Sequence, residues 1–413
     1  MTELTLAALL SQVSRDSSFY RDLFSSVDVE ATALADLPVT DPQAYWEANS
    51  FDGGTVATDE LRDGLVLRTG GSTGEPKVSM WSRDEWHAFA DAFARMYTRT
   101  GLLADGDRIA NLFKSGSLYG GLLLTHDSLQ SAEAPNCIEL PIEMDTPMDE
   151  IVGILATLRP NVLMGFPSLI VAVLSHARTM GLPDLQFARV LVGGESMWPG
   201  QKAYIQHVTG AQVVPSGYAS TDAGMLGYAD FDSAIDQYHV YDGQVILEIV
   251  DDQGGLIDDV GNVGLLLATS LSKTTMPIIR YPVGDVASWV DPAGTANRRF
   301  KLHGRTHPKK VTRDSPFEVN IVRRLIHALP DTESVTGLQL ILNDLGPAVT
   351  LRIATETDDA SIHDRLARDA VERLRSWYPT FGPDDVTVDL VRSCDIDSSL
   401  TSAKALGLID NRN

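Results

Sequence analysis

The chain has 413 residues, with 33 Lys and Arg against 56 Asp and Glu and a formal net charge of −23. At about 150 residues per domain it holds two or three domains, and so negative a surface repels nucleic-acid backbones and anionic membranes, neither of which is expected as a partner. Two cysteines, Cys137 and Cys394, are too few and too far apart for a disulfide framework or a zinc site. The first residues lack a basic region followed by an apolar run, and no stretch nears the roughly 18 apolar residues of a membrane span, so a cytoplasmic, soluble protein is expected.

Leu6, Leu9, Leu10, Val13, Phe19, Leu23 and Phe24 have helical spacing broken by Arg15-Asp16-Ser17-Ser18, which suits two helices or one kinked helix. Leu65-Val66-Leu67 and a run beginning at Val78 read as strands around Arg68-Thr69-Gly70-Gly71-Ser72-Thr73-Gly74-Glu75-Pro76-Lys77. Its glycines let backbone approach a ligand closely, while the hydroxyls of Thr69, Ser72 and Thr73, the N–H groups and Lys77 make a donor surface for polyphosphate. It is not a Walker loop, because Pro76 precedes Lys77 and Val78 follows it.

Ser82 with Glu85 three residues on reads as a capping box opening a helix that continues towards Met96 and Tyr97. Residues 107–113 read as a strand and 115–121 as a turn-rich segment holding Tyr119 and Gly120. A helix over 148–158, a strand over 161–165 ending before Phe166, a helix over 167–180 and a strand over 189–192 alternate, which implies a mostly parallel sheet covered on both faces. Ligands collect at the carboxyl ends of such strands, where both 69–77 and 193–195 are expected. A strand over 240–252 runs into a turn at Asp251, another covers 264–269, and 306–413 alternates helices and strands as a small α+β domain with a polar tail.

The Thr-Gly-Gly-Ser-Thr-Gly-Glu-Pro-Lys string resembles the phosphate-binding signature of the adenylate-forming superfamily, which includes acyl-CoA synthetases, peptide-synthetase adenylation domains and luciferases. Ser18-Phe19-Tyr20-Arg21 and Asp36-Leu37-Pro38-Val39-Thr40 resemble segments that open the phenylacetate-CoA ligase branch. The resemblance implies ATP on Thr69, Gly70, Gly71, Ser72, Thr73, Gly74 and Lys77. It puts adenine against the Gly193-Gly194-Glu195 turn and against Tyr218 in Ser216-Gly217-Tyr218-Ala219-Ser220-Thr221-Asp222. It implies further that Thr221 meets the α-phosphate, Asp222 helps hold Mg²⁺, and Asp285 in Arg280-Tyr281-Pro282-Val283-Gly284-Asp285 accepts the ribose hydroxyls. Tyr119, Gly120 and Phe166 are the implied acyl pocket. Arg305 keeps the hinge arginine and Lys404 the lysine that neutralises the reacting carboxylate.

The implied fold is α/β, with a large domain over 1–304 of mostly parallel sheets sandwiched by helices and a mobile α+β lid over 305–413. The implied activity is ATP-dependent activation of an aromatic acid to an acyl-adenylate, with Mg²⁺, followed by transfer to CoA. Departures stand beside the matches: Ala219 for glycine, Asp222 for glutamate, His307 for the pivot aspartate and Asp314 for the glycine that serves thiol transfer. They leave open an acceptor other than CoA, such as a carrier protein, an amine or a reductase, or a degenerate nucleotide-binding homologue. A homodimer is equally open.

Overall fold

The computed structural model describes residues 5–29, 31–49, 54–60, 62–68, 77–182, 184–305, 321–344, 347–396 and 407–410. The chain divides into two compact units. One comprises Met1–Asp105, Ser115–Asn136 and Pro215–Thr306; the other comprises Gly106–Lys114, Cys137–Val214 and His307–Asn413.

The first unit opens with the two expected helices, Leu6–Asp16 and Ser18–Leu23. Ser17 divides them: its extended backbone ends the first helix and its hydroxyl accepts from the Tyr20 N–H to cap the second. Leu65–Arg68 and Val78–Trp81 form an antiparallel ribbon with Leu65 opposite Trp81 and Arg68 opposite Val78. The helix Arg83–Thr100 follows, begun by the Ser82/Glu85 capping box and ended by Gly101 at φ 67°. Its apolar stripe buries Trp86, Phe89, Phe93 and Tyr97. Residues 218–305 build a seven-stranded sheet, in the order Tyr218–Ser220, Gly224–Tyr228, Gln237–Val240, Arg299–Arg305, Tyr281–Trp289, Val263–Ser270, Val245–Val250. Every paired neighbour in it is antiparallel.

The second unit contains a five-stranded sheet in the order Ile138–Pro141, Arg108–Asn111, Val162–Gly165, Arg189–Val192, Gln212–Pro215. The pairings recorded for its first four strands are parallel. All four residues of Val162–Gly165 are buried, as a strand covered on both faces requires. Asp107 ties the amino ends of two strands together, its Oδ1 accepting from Asn161 Nδ2 at 2.7 Å and from Arg189 Nη2 at 2.6 Å. A second sheet in this unit runs Val386–Val391, Val349–Thr355, Val335–Leu342, Leu408–Asp410. Leu325, Leu338, Leu351, Leu366 and Leu374 pack between it and the helices Ile321–Ala328 and Ala360–Trp377. It also meets the helix Pro199–Thr209: a Cβ added to Gly200 lies 2.1 Å from the Val335 carbonyl oxygen.

Three expectations change. The strands around 69–77 belong to an antiparallel ribbon rather than to the parallel sheet, so only 193–195 follows a parallel strand. The strand expected over 240–252 is two, Gln237–Val240 and Val245–Val250, because Gly243 takes φ 88° between them. The polar tail carries a strand, Leu408–Asp410, parallel to 340–342. The mostly parallel sheet is present in the second unit, and the first unit holds seven antiparallel strands that helix–strand alternation does not announce.

Candidate active site

Asp285 and Arg305 face each other across neighbouring strands. Arg305 Nε lies 3.6 Å from Asp285 Oδ1, and Nη1 donates to the Val283 carbonyl at 3.1 Å. Gly284 makes room for this: at φ 88° it has no Cβ to press on the guanidinium, 2.9 Å away. Tyr218 donates its hydroxyl to Asp285 Oδ2 at 2.6 Å. Burial, reinforced by the negative charge of Asp285, holds the Tyr218 phenol well above its ordinary range, so it stays a donor. Tyr238 and Phe300 pack on the Tyr218 ring with centroids 5.4 and 5.8 Å away. A carboxylate has about four acceptor positions. One Asp285 oxygen accepts from Tyr218 and the other faces half-exposed Arg305, so the side chain is held in place with acceptor capacity left over.

Thr221 and Asp222 lie in the turn between Tyr218–Ser220 and Gly224–Tyr228. The Thr221 carbonyl accepts from Trp81 Nε1 at 3.0 Å, and Ser220 Oγ accepts from the Ala223 N–H at 2.9 Å. Asp222 Oδ1 is inaccessible and has no hydrogen-bond partner. Burial raises its carboxyl from the ordinary carboxylate range, against the opposing pull of Lys273, Lys77 and Arg305. An orphaned carboxylate oxygen turned inward is a fitting donor for a hard divalent cation. Among the described residues no cluster of three or more acidic, His or Cys side chains could hold a metal ion.

Lys77 places its ammonium 5.2 Å from the centroid of the Trp46 ring, and Trp46 Nε1 donates to the Tyr281 hydroxyl at 2.7 Å. Arg68, at the other edge of the glycine-rich loop, lies 4.6 Å from the Tyr119 ring centroid and donates from Nη2 to its hydroxyl at 3.2 Å. Tyr119 and Gly120 form one arm of a small hairpin, against which a Cβ on Gly120 would press Leu67 at 3.0 Å. Ser216 is buried, and a Cβ on Gly217 would meet Phe93 at 3.1 Å. Arg280, the other cation of its motif, is engaged in the interior: Nε meets Glu248 at 3.1 Å and Nη1 donates to the Leu37 carbonyl.

In the second unit Gly193 and Gly194 follow the parallel strand Arg189–Val192, with Gly194 at φ 79°. Phe166 Cε1 would be 2.4 Å from a Gly194 Cβ, so the ring takes that space; it also packs edge-on to Phe113 at 5.5 Å. Glu195 Oε1 accepts from the Ser168 N–H at 2.8 Å in the first turn of the helix Pro167–Thr179. Thr69, Gly70, Gly71, Ser72, Thr73 and Gly74, together with His307, Asp314 and Lys404, lie outside the described residues.

One buried cation escaped the sequence reading. Lys273 is fully buried, donates from Nζ to Ser79 Oγ and sits 4.0 Å from the Trp81 ring centroid. It stands in Ser272-Lys273-Thr274-Thr275, a polar string that looks like solvent-exposed loop.

The antiparallel sheet carrying Asp285 and Arg305, the parallel sheet feeding Gly193 and the separate α+β sheet make up the fold of adenylate-forming acyl-CoA ligases. A solved 2-hydroxyisobutyryl-CoA ligase, in the postadenylation state in complex with R3-HIB-AMP, matches with TM-score 0.75 over 98% of this chain and 89% of that one, at 20% identity. Among curated proteins, phenylacetate-coenzyme A ligase of Thermus thermophilus is 24% identical over 377 residues, covering 87% of this chain and 81% of the relative. Indoleacetate–lysine synthetase of Pseudomonas savastanoi is 24% identical over 229 residues, 55% of this chain and 54% of the relative. No family model matches the chain. Its fold is that of acyl-CoA ligases, and the curated proteins it is similar to include phenylacetate-coenzyme A ligases.

Proposed function

We propose that the protein activates a carboxylic acid with ATP and passes the acyl group to CoA, as the names of its ligase relatives indicate for them. A carboxylate oxygen of the acid attacks the α-phosphorus, the bond from that phosphorus to the bridging oxygen breaks, and pyrophosphate leaves. The CoA thiolate then attacks the acyl carbon and AMP departs. No base is needed for the first step, since the acid is already ionised near pH 7.

The observation that carries this reading is the Tyr218–Asp285–Arg305 arrangement, an anchored acceptor beside a half-exposed cation and an aromatic face. In this reading Asp285 receives the ribose hydroxyls, Tyr218 packs on the base, and Arg305 offers charge to ribose or phosphate. The 69–74 loop and Lys77 take the phosphates, and Gly193, Gly194 and Glu195 line the adenine by their backbone. Thr221 donates to the α-phosphate. Mg²⁺, when bound at Asp222, supplies charge neutralisation to the phosphate oxygens. Lys404 meets the reacting carboxylate, and 305–413 serves as the lid of an adenylation domain over 1–304. Acceleration comes from positioning and from donors aimed at the spreading negative charge.

Tyr119, Gly120 and Phe166 are assigned to an aromatic acyl pocket. A second acceptor is kept on one ground: a lysine-coupling synthetase is among the relatives, which makes an amine the alternative to CoA. No described helix is long and apolar enough to cross a membrane.

The test is pyrophosphate release from MgATP over a panel of aromatic and aliphatic acids, each with CoA, with lysine, with hydroxylamine and with no acceptor. Acyl-CoA formation is expected. Release that hydroxylamine stimulates and CoA does not would transfer the second step to another acceptor, and silence throughout would refute the adenylation reading.

A further inference from the structure

Lys273 is a lysine with no exposed surface, which is costly unless its ammonium is engaged on several sides. Nζ donates to the hydroxyl of Ser79 and lies over the face of Trp81 at 4.0 Å, both on the strand that leaves the glycine-rich loop. Trp81 in turn donates from its indole N–H to the Thr221 carbonyl, 140 residues away in sequence. Just after Lys273, the N–H groups of Thr274 and Thr275 both donate to Glu85 Oε1 at 2.6 Å, and the other Glu85 oxygen accepts from the Ser82 N–H at 2.9 Å. Glu85 is buried as well.

The loop-exit strand, the start of the Arg83–Thr100 helix, the Thr221–Asp222 turn and the segment entering the Arg280–Asp285 motif are therefore joined through one buried ammonium and one buried carboxylate. The negative charge of Glu85 favours the charged form of Lys273. The ammonium also lies on an aromatic face, a contact worth about 2 kcal/mol or more when desolvated. Burial pushes the Lys273 ammonium down to about 8, opposed by Glu85 and Asp222, so it remains mostly charged at neutral pH.

We propose that Lys273 is a positioning residue: by holding Ser79 and the Trp81 ring it fixes the indole N–H on the Thr221 carbonyl, and so sets the turn that presents Thr221 and Asp222 to a metal–nucleotide complex. Lys273 touches no substrate in this scheme. The proposal rests on the adenylation reading for the identity of the ligand, while the local geometry it claims is independent of any ligand.

The experiment compares Lys273→Met with wild type in the full-length, ligand-free protein by hydrogen exchange. Amides of 218–226 should exchange about tenfold faster or more, with the Val335–Leu342 strand unchanged as the control. In parallel, ATP affinity measured calorimetrically at fixed ATP analogue and varied Mg²⁺ should weaken about tenfold, with Lys273→Arg restoring part of it. Unchanged exchange over 218–226 in a folded Lys273→Met protein would overturn the proposal, as would an equal rise in the control strand, which marks a merely structural lysine. If Lys273→Met does not fold, Trp81→Phe removes the indole N–H while leaving the ammonium, and the same local loosening is expected; its absence refutes the link. Loosening in a protein whose wild type binds no nucleotide supports the positioning role and counts against the adenylation reading alone.

Discussion

Two aspartates in the same compact unit meet opposite environments. Asp291 is fully partnered: its Oδ2 accepts from the Arg299 backbone N–H at 2.9 Å and from Nε at 3.0 Å, and its Oδ1 accepts from Nη2 at 2.7 Å. The Arg299 hydrogen bonds hold its carboxyl down to about 2. Asp222 has an inaccessible oxygen with no partner, and burial raises its carboxyl. A forked guanidinium uses up a carboxylate's acceptors and makes it part of the fold. A buried acceptor left open burdens the fold, and such burdens persist where a ligand relieves them.

The largest expected effect is on Asp222. Asp222→Asn should lower adenylation about 100-fold or more, as removal of a charge-stabilising group commonly does, yet leave the apoprotein as stable as wild type or more stable. The sign follows from linkage: the folded-state pKa is raised, so ionising Asp222 weakens the fold as pH rises through that pKa, and the variant escapes this. Thermal unfolding at pH 7 and in acid checks it, since the advantage of the variant should shrink as the wild-type carboxyl protonates. A variant less stable than wild type at pH 7 would mean that Asp222 has a structural partner after all.

Next comes Asp285→Ala, which should raise the KM for ATP about tenfold or more with a smaller change in kcat, the pattern of lost ground-state binding. Initial-rate kinetics decide it; an unchanged KM removes Asp285 from the nucleotide site. The smallest effect belongs to the partnered carboxylate. Asp291→Ala should cost below about 1 kcal/mol, discounted because Arg299 is well exposed, and should leave adenylation untouched. Because its folded pKa is depressed, the contribution of Asp291 is present above about pH 4 and is lost as pH falls towards about 2. Acid titration of unfolding in wild type and variant should therefore converge at the low end, and curves that stay apart would contradict the assignment.

Local chemistry made much of this legible in the sequence. Ser82 and Glu85 are three residues apart and cap the helix they announce, and Ser17 divides the two amino-terminal helices. The Asp285 and Tyr218 strings lead to side chains that meet at 2.6 Å. What the sequence withheld depends on distance along the chain. Lys273 reads as loop because nothing nearby reveals that Ser79 and Trp81 close over it. Arg280 opens the Asp285 string, and nothing local reveals that its partner Glu248 stands 32 residues earlier, on the strand Val245–Val250. The antiparallel sheet stayed hidden for the reverse reason: its hairpins are local, but their strands lack the helix–strand alternation that betrays a parallel sheet.

Gly200 carries a consequence for anyone wishing to hold this molecule still. Its missing side chain allows the Val335 carbonyl to come within 2.1 Å of where a methyl would stand, so a Gly200→Ala substitution acts as a doorstop one carbon wide. That carbon would force the helix Pro199–Thr209 away from the strand Val335–Leu342 inside one compact unit, so the substitution reads out how closely those two elements must pack.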